Sequence, residues 1–233
     1  MSSFFSTLGN RFLLCLTTIP TTLLGWFVII VVALVTTATA AISATVSGFV
    51  NPKEDYHPPW QVRDDDGSSG PCRFRCHWSI KPLSAFIFPY FVEEVFWRGI
   101  LIGHPSAPDG GFSSSQFILA GVFLVIHVLM HPVAGYTCWP RGRKLFSDWR
   151  FMVGATLVLG GATVSYLVSG GSAYAAALTH CLCVALWRDF FDGEAKLIGI
   201  TATTTATTTP ESCTSENINT EEKDKSCNQY ASA

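Results

Sequence analysis

The sequence has few charged residues, and one long stretch has none. Charged side chains make up 14% of the 233 residues, against about a quarter in typical soluble domains. No charged residue occurs between Leu13 and Pro52. The net charge is −2, and no basic cluster is large enough to bind a nucleic acid. The composition therefore excludes an ordinary soluble domain and a nucleic-acid partner, and it favours a protein that contacts a lipid bilayer.

The cysteines do not form a recognisable framework. There are eight, scattered along the chain without the regular spacing of a disulfide-rich secreted domain. Cys72 and Cys76 have a loose metal-ligand spacing, but no second pair follows them. We therefore predict a bridge between them or two free thiols rather than a zinc site, and we expect no cofactor.

The apolar segments predict an all-α bundle of about five membrane-spanning helices. One span needs about 20 apolar residues. The uncharged N-terminal stretch could hold one tilted span or two short ones; we favour one, preceded by an interfacial piece that ends near Pro20. Whether a targeting peptide is removed from it stays open. The predicted spans are Thr22–Ala44, Pro82–Gly103, Gln116–Val133, Phe151–Val168 and Ala173–Phe191.

Polar segments divide the chain into four regions. Residues 1–52 are a hydrophobic anchor or targeting region, 53–81 a polar loop, 82–193 the helical core, and 194–233 a Thr-rich tail that we expect to be disordered. The loop at 53–81 has five Lys or Arg and the loop at 134–150 has four, whereas the connections at 104–115 and 169–172 have none. This alternation predicts a multi-pass protein with the basic loops on the cytoplasm-like side. The organelle stays open, and both endomembrane and plastid fit.

The strongest functional signal is a charge cluster inside the second predicted span. Glu93, Glu94 and Arg98 lie in an otherwise apolar run, and charged groups at bilayer depth are costly and usually functional. Glu94 and Arg98 are four residues apart, so on a helix they share a face and can pair. Glu93 points about 100° away from Glu94. One carboxylate can thus be held by the arginine while the other faces a cavity as a general base.

Histidines on the third and fifth spans are the other candidates for chemistry. His127 and His131 are four residues apart and share a helix face, and Pro132 after them predicts that His131 lies near the helix end. His180 is the one strongly polar, ionisable group in the middle of the fifth span. A lone histidine in an apolar helix is usually a hydrogen bonder between helices. An acid pair and two histidine-bearing spans together favour a catalytic site.

The order of these motifs resembles the CAAX protease and bacteriocin-processing family of intramembrane glutamic endopeptidases. That family carries Glu-Glu-x-x-x-Arg, then Phe-x-x-x-His, then His-x-x-x-Asn. The first motif is complete at Glu93, Glu94 and Arg98. Two registers fit the second: Phe123 to His127 literally, or His131 followed by proline, as in short family members. We favour His131 and keep His127 as the alternative.

The resemblance implies an integral membrane endopeptidase that cleaves a protein or peptide, and prenylated proteins cut near their C-terminus are one substrate class it includes. In that mechanism Glu93 activates a water with help from His131 or His127. His180 stabilises the oxyanion, and Glu94 pairs with Arg98 to keep Glu93 available. The implied chemistry needs no metal and no cofactor.

The third motif departs from the family pattern, because Val184 stands where the asparagine is expected. In the family this asparagine shares the oxyanion role with the histidine. Its absence predicts slow turnover, a substitute donor or lost activity. Two alternatives therefore stay open: a non-catalytic membrane scaffold of the same fold, and a metalloenzyme with His127, His131 and His180 as ligands.

Overall fold

The computed structural model describes residues 2–56, 86–106, 114–138 and 142–191, together with residues 193 and 196. All regular secondary structure within these ranges is helical, as expected. They belong to one unit, Met1–Thr201; the second unit, Ala202–Ala233, lies outside the described residues. Cys72 and Cys76, predicted as a bridge or two free thiols, also lie outside the described residues, as does the expected disordered tail apart from residue 196.

The N-terminal region forms two helices, α1 (Ser2–Thr17) and α2 (Leu23–Val46). The break between them contains Pro20 and ends at Thr22, whose hydroxyl accepts a hydrogen bond from the Gly25 amide at 3.0 Å and so caps α2. Helix α1 packs against the helix that carries the glutamates, and α2 packs against the last two helices of the core. The region expected as an anchor or targeting segment is therefore packed in the same unit as the motif helices.

The acidic helix, Phe86–Ile102, carries the first motif. It consists of two π-helical pieces, Phe86–Phe91 and Val95–Ile102, joined by the α-helical turn Val92–Glu94. Its backbone kinks at Phe88, and it ends at Gly103 with a φ of +87°. π-Helical turns are rare and often occur at functional sites, and here they flank both glutamates.

Helix α3 (Ser114–Thr137) is longer than expected. The prediction that Pro132 places His131 near the helix end is wrong, because the helix continues through Pro132 to Thr137. Proline has no N–H and so leaves the carbonyl four residues earlier, that of Val128, without its helical donor. The His131 Nδ1 lies 3.2 Å from this oxygen, and a hydrogen on Nδ1 would replace the missing bond. This substitution explains how the helix tolerates the proline.

Three further helices complete the described core: α4 (Arg143–Phe146), α5 (Trp149–Val168) and α6 (Ala173–Phe190). Helices α2, α5 and α6 pack against one another through small residues. Gly161 on α5 faces Thr36 on α2 so closely that a Cβ at that position would overlap the Thr36 side chain. Small residues allow the close backbone approach that holds helices together in a membrane, where no hydrophobic effect between helices is available.

Helices α2, α3 and α5 are long and apolar enough to cross a membrane. They correspond to the first, third and fourth predicted spans. The acidic helix and α6 are shorter and carry charged residues, and their status as two further spans stays a prediction.

Candidate active site

Glu94 is at the centre of a buried charged cluster. The residue is 0% exposed. Its Oε1 accepts hydrogen bonds from Arg98 Nη1 at 3.0 Å and from His180 Nδ1 at 2.7 Å. Its Oε2 lies 2.9 Å from the same arginine nitrogen, in a direction too poor for a hydrogen bond. Glu94 and Arg98 are paired, and the hydrogen bond from His180 to Glu94 joins the acidic helix to α6.

Arg98 joins the acidic helix to two further helices. It is almost fully buried. Nη2 donates to the Leu159 carbonyl at 2.7 Å and Nε donates to the Thr163 hydroxyl at 3.3 Å, both on α5. Nη1 also lies 3.1 Å from His127 Nδ1 on α3. A buried guanidinium needs such partners on every side, because an unpaired charge in this environment costs several kcal/mol.

The contacts of His127 define its tautomer. Arginine can only donate, so His127 Nδ1 accepts from Arg98 and Nε2 carries a hydrogen. Nε2 lies 2.5 Å from Glu93 Oε1 and donates to it. The His127 ring also stacks on Trp97, with centroids 4.4 Å apart and an interplanar angle of 12°. The imidazole is thus fixed in position and orientation, and it fixes one oxygen of Glu93.

The two adjacent glutamates have different environments. The Glu93 side chain is 27% exposed, and its Oε1 is bonded to His127. Within the described ranges, its Oε2 has no hydrogen-bond partner. One carboxylate is thus paired with arginine, and the other is partly exposed.

Among the described residues, one of the two ring nitrogens of His180 has a hydrogen-bond partner. Nδ1 donates to Glu94 and is therefore committed. The ring packs against Tyr90 of the acidic helix, with centroids 4.9 Å apart. Val184, one turn further along α6, packs against Tyr90 and Cys181. Only Nε2 of His180 is left to face a bound molecule.

His131 lies one turn from this cluster. Its ring stacks on His127 with centroids 5.7 Å apart and packs against Phe146 and Phe151. Its Nδ1 faces carbonyl oxygens of its own helix. The structure therefore brings five of the candidates together: Glu93, Glu94, Arg98, His127 and His180. His131 meets this cluster only through the contact between its ring and that of His127.

Sequence reasoning missed four contributors to this cluster. Thr163 and the Leu159 carbonyl come from α5, a helix without an acid or a histidine, so no motif pointed to it. Trp97 and Tyr90 lie on the acidic helix itself, one next to Arg98 and the other one turn before Glu93. Their spacing along that helix was the only signal that could have singled them out.

The cluster combines an accessible carboxylate, a second carboxylate held by arginine, and two oriented imidazoles. Such a set can take a proton from a water and stabilise a developing negative charge. Among the described residues, no group of three or more His, Cys, Asp or Glu side chains could hold a metal ion.

Comparison with known proteins adds one match. Residues 77–186 match the family model described as type II CAAX prenyl endopeptidase, Rce1-like. This segment contains every residue of the cluster. No curated protein and no solved structure matches the chain.

Proposed function

Because residues 77–186 belong to the Rce1-like family of type II CAAX prenyl endopeptidases, we propose that this membrane protein hydrolyses a peptide bond with a water activated by a glutamate. The single observation that carries the proposal is the contrast between two adjacent carboxylates. Glu94 is fully buried against Arg98 and His180, whereas the Glu93 side chain is partly exposed and has one oxygen without a partner among the described residues. The family is one of peptidases, and the mechanism is our inference from the cluster.

Glu93 is the proposed general base. His127 holds Oε1, so Oε2 is free to accept a hydrogen bond from a water. The carboxylate takes a proton from this water while the water oxygen attacks the peptide carbonyl carbon. The C–N bond then breaks as Glu93 passes the proton to the leaving amine. General-base help of this kind is worth about 10²- to 10⁴-fold in rate.

His127, rather than the favoured His131, is the proposed partner of Glu93. His127 bonds directly to the carboxylate and to Arg98, whereas the His131 Nδ1 is directed at carbonyls of α3. We therefore assign the motif in its literal register, Phe123 to His127. His131 has the separate task of supporting the helix at Pro132.

His180 is the proposed oxyanion donor, with Glu94 as the group that orients it. With Nδ1 bonded to Glu94, a hydrogen bond to substrate must come from Nε2. His180 must then carry hydrogens on both nitrogens, and the Glu94 carboxylate stabilises the resulting charge. A donor aimed at a developing oxyanion contributes about 3–4 kcal/mol in comparable sites.

The proposed substrate is a protein or peptide that reaches the site at the bilayer, and a prenylated C-terminus is the first class to test. We further propose a multi-pass topology of about five spans, with the acidic helix and α6 added to the three apolar helices. A non-catalytic scaffold is the alternative that Val184 supports, since valine offers no donor where the family has asparagine. The metalloenzyme alternative would need ligands beyond the His127–His131 pair.

The test uses the full-length protein, purified in detergent, with a fluorogenic farnesylated CAAX peptide and its unfarnesylated counterpart. We expect cleavage that Glu93→Gln abolishes and that Glu54→Gln, an exposed acid remote from the cluster, leaves unchanged. His127→Gln should reduce the rate far more than His131→Gln. Cleavage that persists in Glu93→Gln would overturn the glutamate mechanism, and loss of cleavage with a chelator would favour a metalloenzyme.

A further inference from the structure

Tyr90 lies beside the proposed oxyanion donor. It is one turn before the glutamates on the acidic helix, and it is 8% exposed. Its ring packs against the His180 ring at 4.9 Å and also contacts Cys181 and Val184. Tyr90 therefore fills the space between the acidic helix and the face of α6 that carries His180 and, one turn on, Val184.

The Tyr90 hydroxyl has no hydrogen-bond partner within the described part of the chain. The oxygen itself is not fully buried, so it is accessible to a bound molecule.

The hydroxyl matters because, of the two positions of α6 that the third motif uses, only His180 offers a donor. His180 has Nε2 available, but the side chain one turn later is Val184, which can donate nothing. Oxyanion sites commonly use two donors, and a tyrosine hydroxyl can be one of them. Tyr90 packs against His180, and Val184 packs against the cluster of Tyr90 and Cys181, so the Tyr90 ring lies beside both positions of α6.

We propose that the Tyr90 hydroxyl is a second oxyanion donor, which hydrogen-bonds the carbonyl oxygen of the scissile peptide together with His180 Nε2. This assignment rests on the proposed peptidase function. It makes Tyr90 a catalytic residue, because its hydroxyl touches the reacting oxygen. It also explains how a chain with Val184 keeps two donors in the site.

The experiment compares three variants with the parent protein on the peptide that the parent cleaves: Tyr90→Phe, Val184→Asn, and the two combined. Tyr90→Phe keeps the ring and removes only the hydroxyl. We expect its kcat to fall by about 10²- to 10³-fold, the loss typical of one oxyanion donor, with KM and the thermal unfolding midpoint unchanged. Val184→Asn adds a donor from α6. The kcat of the combined variant should therefore be at least about tenfold higher than that of Tyr90→Phe alone, in line with that range.

Two results would overturn the assignment. One is a Tyr90→Phe kcat within about threefold of the parent, well below the loss expected for a donor. The other is a loss of kcat in Tyr90→Phe that is just as large in the combined variant, since a hydroxyl acting only as a donor must be replaceable by another donor. A parent protein with no cleavage that depends on Glu93 is a different outcome. It would remove the proposed function, and the role of Tyr90 with it.

Discussion

The acidic helix is held in two different ways along its length. Around Glu94 and Arg98 it is held by charged hydrogen bonds to α3, α5 and α6. From Gly99 to its end it is held by α1. There Cys15, 0% exposed, packs directly on Gly99, and Arg11 donates to the Ile100 carbonyl at 3.2 Å. The first part of the helix carries the proposed catalytic residues, and the second part packs closely against α1.

This difference teaches what each half requires. A buried charged cluster is costly unless every charge has partners, so the first half depends on groups from several helices at once. The second half depends on shape, because Gly99 allows α1 to approach more closely than any side chain would permit. Loss of a partner should therefore be severe in the first half, and gain of a single methyl should be harmful in the second.

The largest effect is expected from Arg98→Met. It leaves Glu94 buried without a cation and removes the hydrogen bonds to Leu159, Thr163 and His127. Breaking a buried pair from one side costs about 3–5 kcal/mol. Unfolding of the purified variant in mixed micelles measures this loss. Lys144→Met, which removes an exposed cation, is the matched control. A loss below about 1 kcal/mol, the size of an exposed pair, would contradict the comparison.

The next effect tests the packed half. Gly99→Ala places a Cβ in overlap with the Cys15 sulfur and should cost about 1–3 kcal/mol by overpacking. Gly121→Ala is the matched control on α3, because a Cβ there meets nothing within 4 Å. Removing the sulfur as well, in Cys15→Ala with Gly99→Ala, should return part of the loss. Equal effects of Gly99→Ala and Gly121→Ala would show that the close approach does not matter.

The charged half was largely predictable from sequence, for a physical reason. Glu94 and Arg98 pair because side chains four apart on a helix lie on one face. His180 was identifiable as an ionisable group in an apolar helix. The sequence could not identify the Leu159 carbonyl as a partner of Arg98, because every residue has a backbone carbonyl. Nor could it separate His127 from His131, because both lie on the same face and only the packing of α3 decides which of them reaches Glu93.

The packed half was not predictable. Because each apolar segment of a sequence is interpreted separately, α1 was assigned to an anchor or targeting region. Nothing in the composition of α1 indicates that it packs against Gly99. The expected end of α3 failed for a similar reason. Proline usually ends a helix, but here the His131 ring lies against the Val128 carbonyl, a local compensation that proline statistics do not contain.

A smaller effect is expected from Thr163→Val. Valine keeps the shape of threonine and removes the hydroxyl that accepts from Arg98 Nε at 3.3 Å. Arg98 keeps its bonds to Glu94 and Leu159, so the loss should be about 1 kcal/mol, the value of one hydrogen bond. Thr156→Val, on the exposed side of the same helix, is the control.

Combining Thr163→Val with Arg98→Met should add almost nothing to the stability lost in Arg98→Met, because the two changes remove the same bond. Simple additivity would mean that Thr163 acts independently of Arg98.

The smallest effect concerns His104, just beyond the acidic helix and outside the predicted spans. It is buried, and its Nδ1 accepts from the Ser106 amide at 3.1 Å. Its Nε2 therefore carries the hydrogen and donates to the Thr18 hydroxyl at 2.8 Å, which fastens the end of α1. Burial lowers the pKa of His104 below its ordinary value of 6.5. The folded chain thus resists a proton that the unfolded chain accepts.

The sign follows from this difference. Above pH 6.5 both states are neutral at His104, and its contribution is constant. As the pH falls below 6.5, the unfolded chain takes up the proton first, so stability falls until the lower folded pKa is reached. His104→Gln does not titrate there. The stability difference between the parent and His104→Gln should be flat from pH 8 to 7 and should shift against the parent at pH 6 and 5. A stability difference that instead grows in favour of the parent on acidification would mean that His104 gains a negative partner in the folded state. In that case a charge interaction, rather than a neutral hydrogen bond, would hold α1 to the acidic helix.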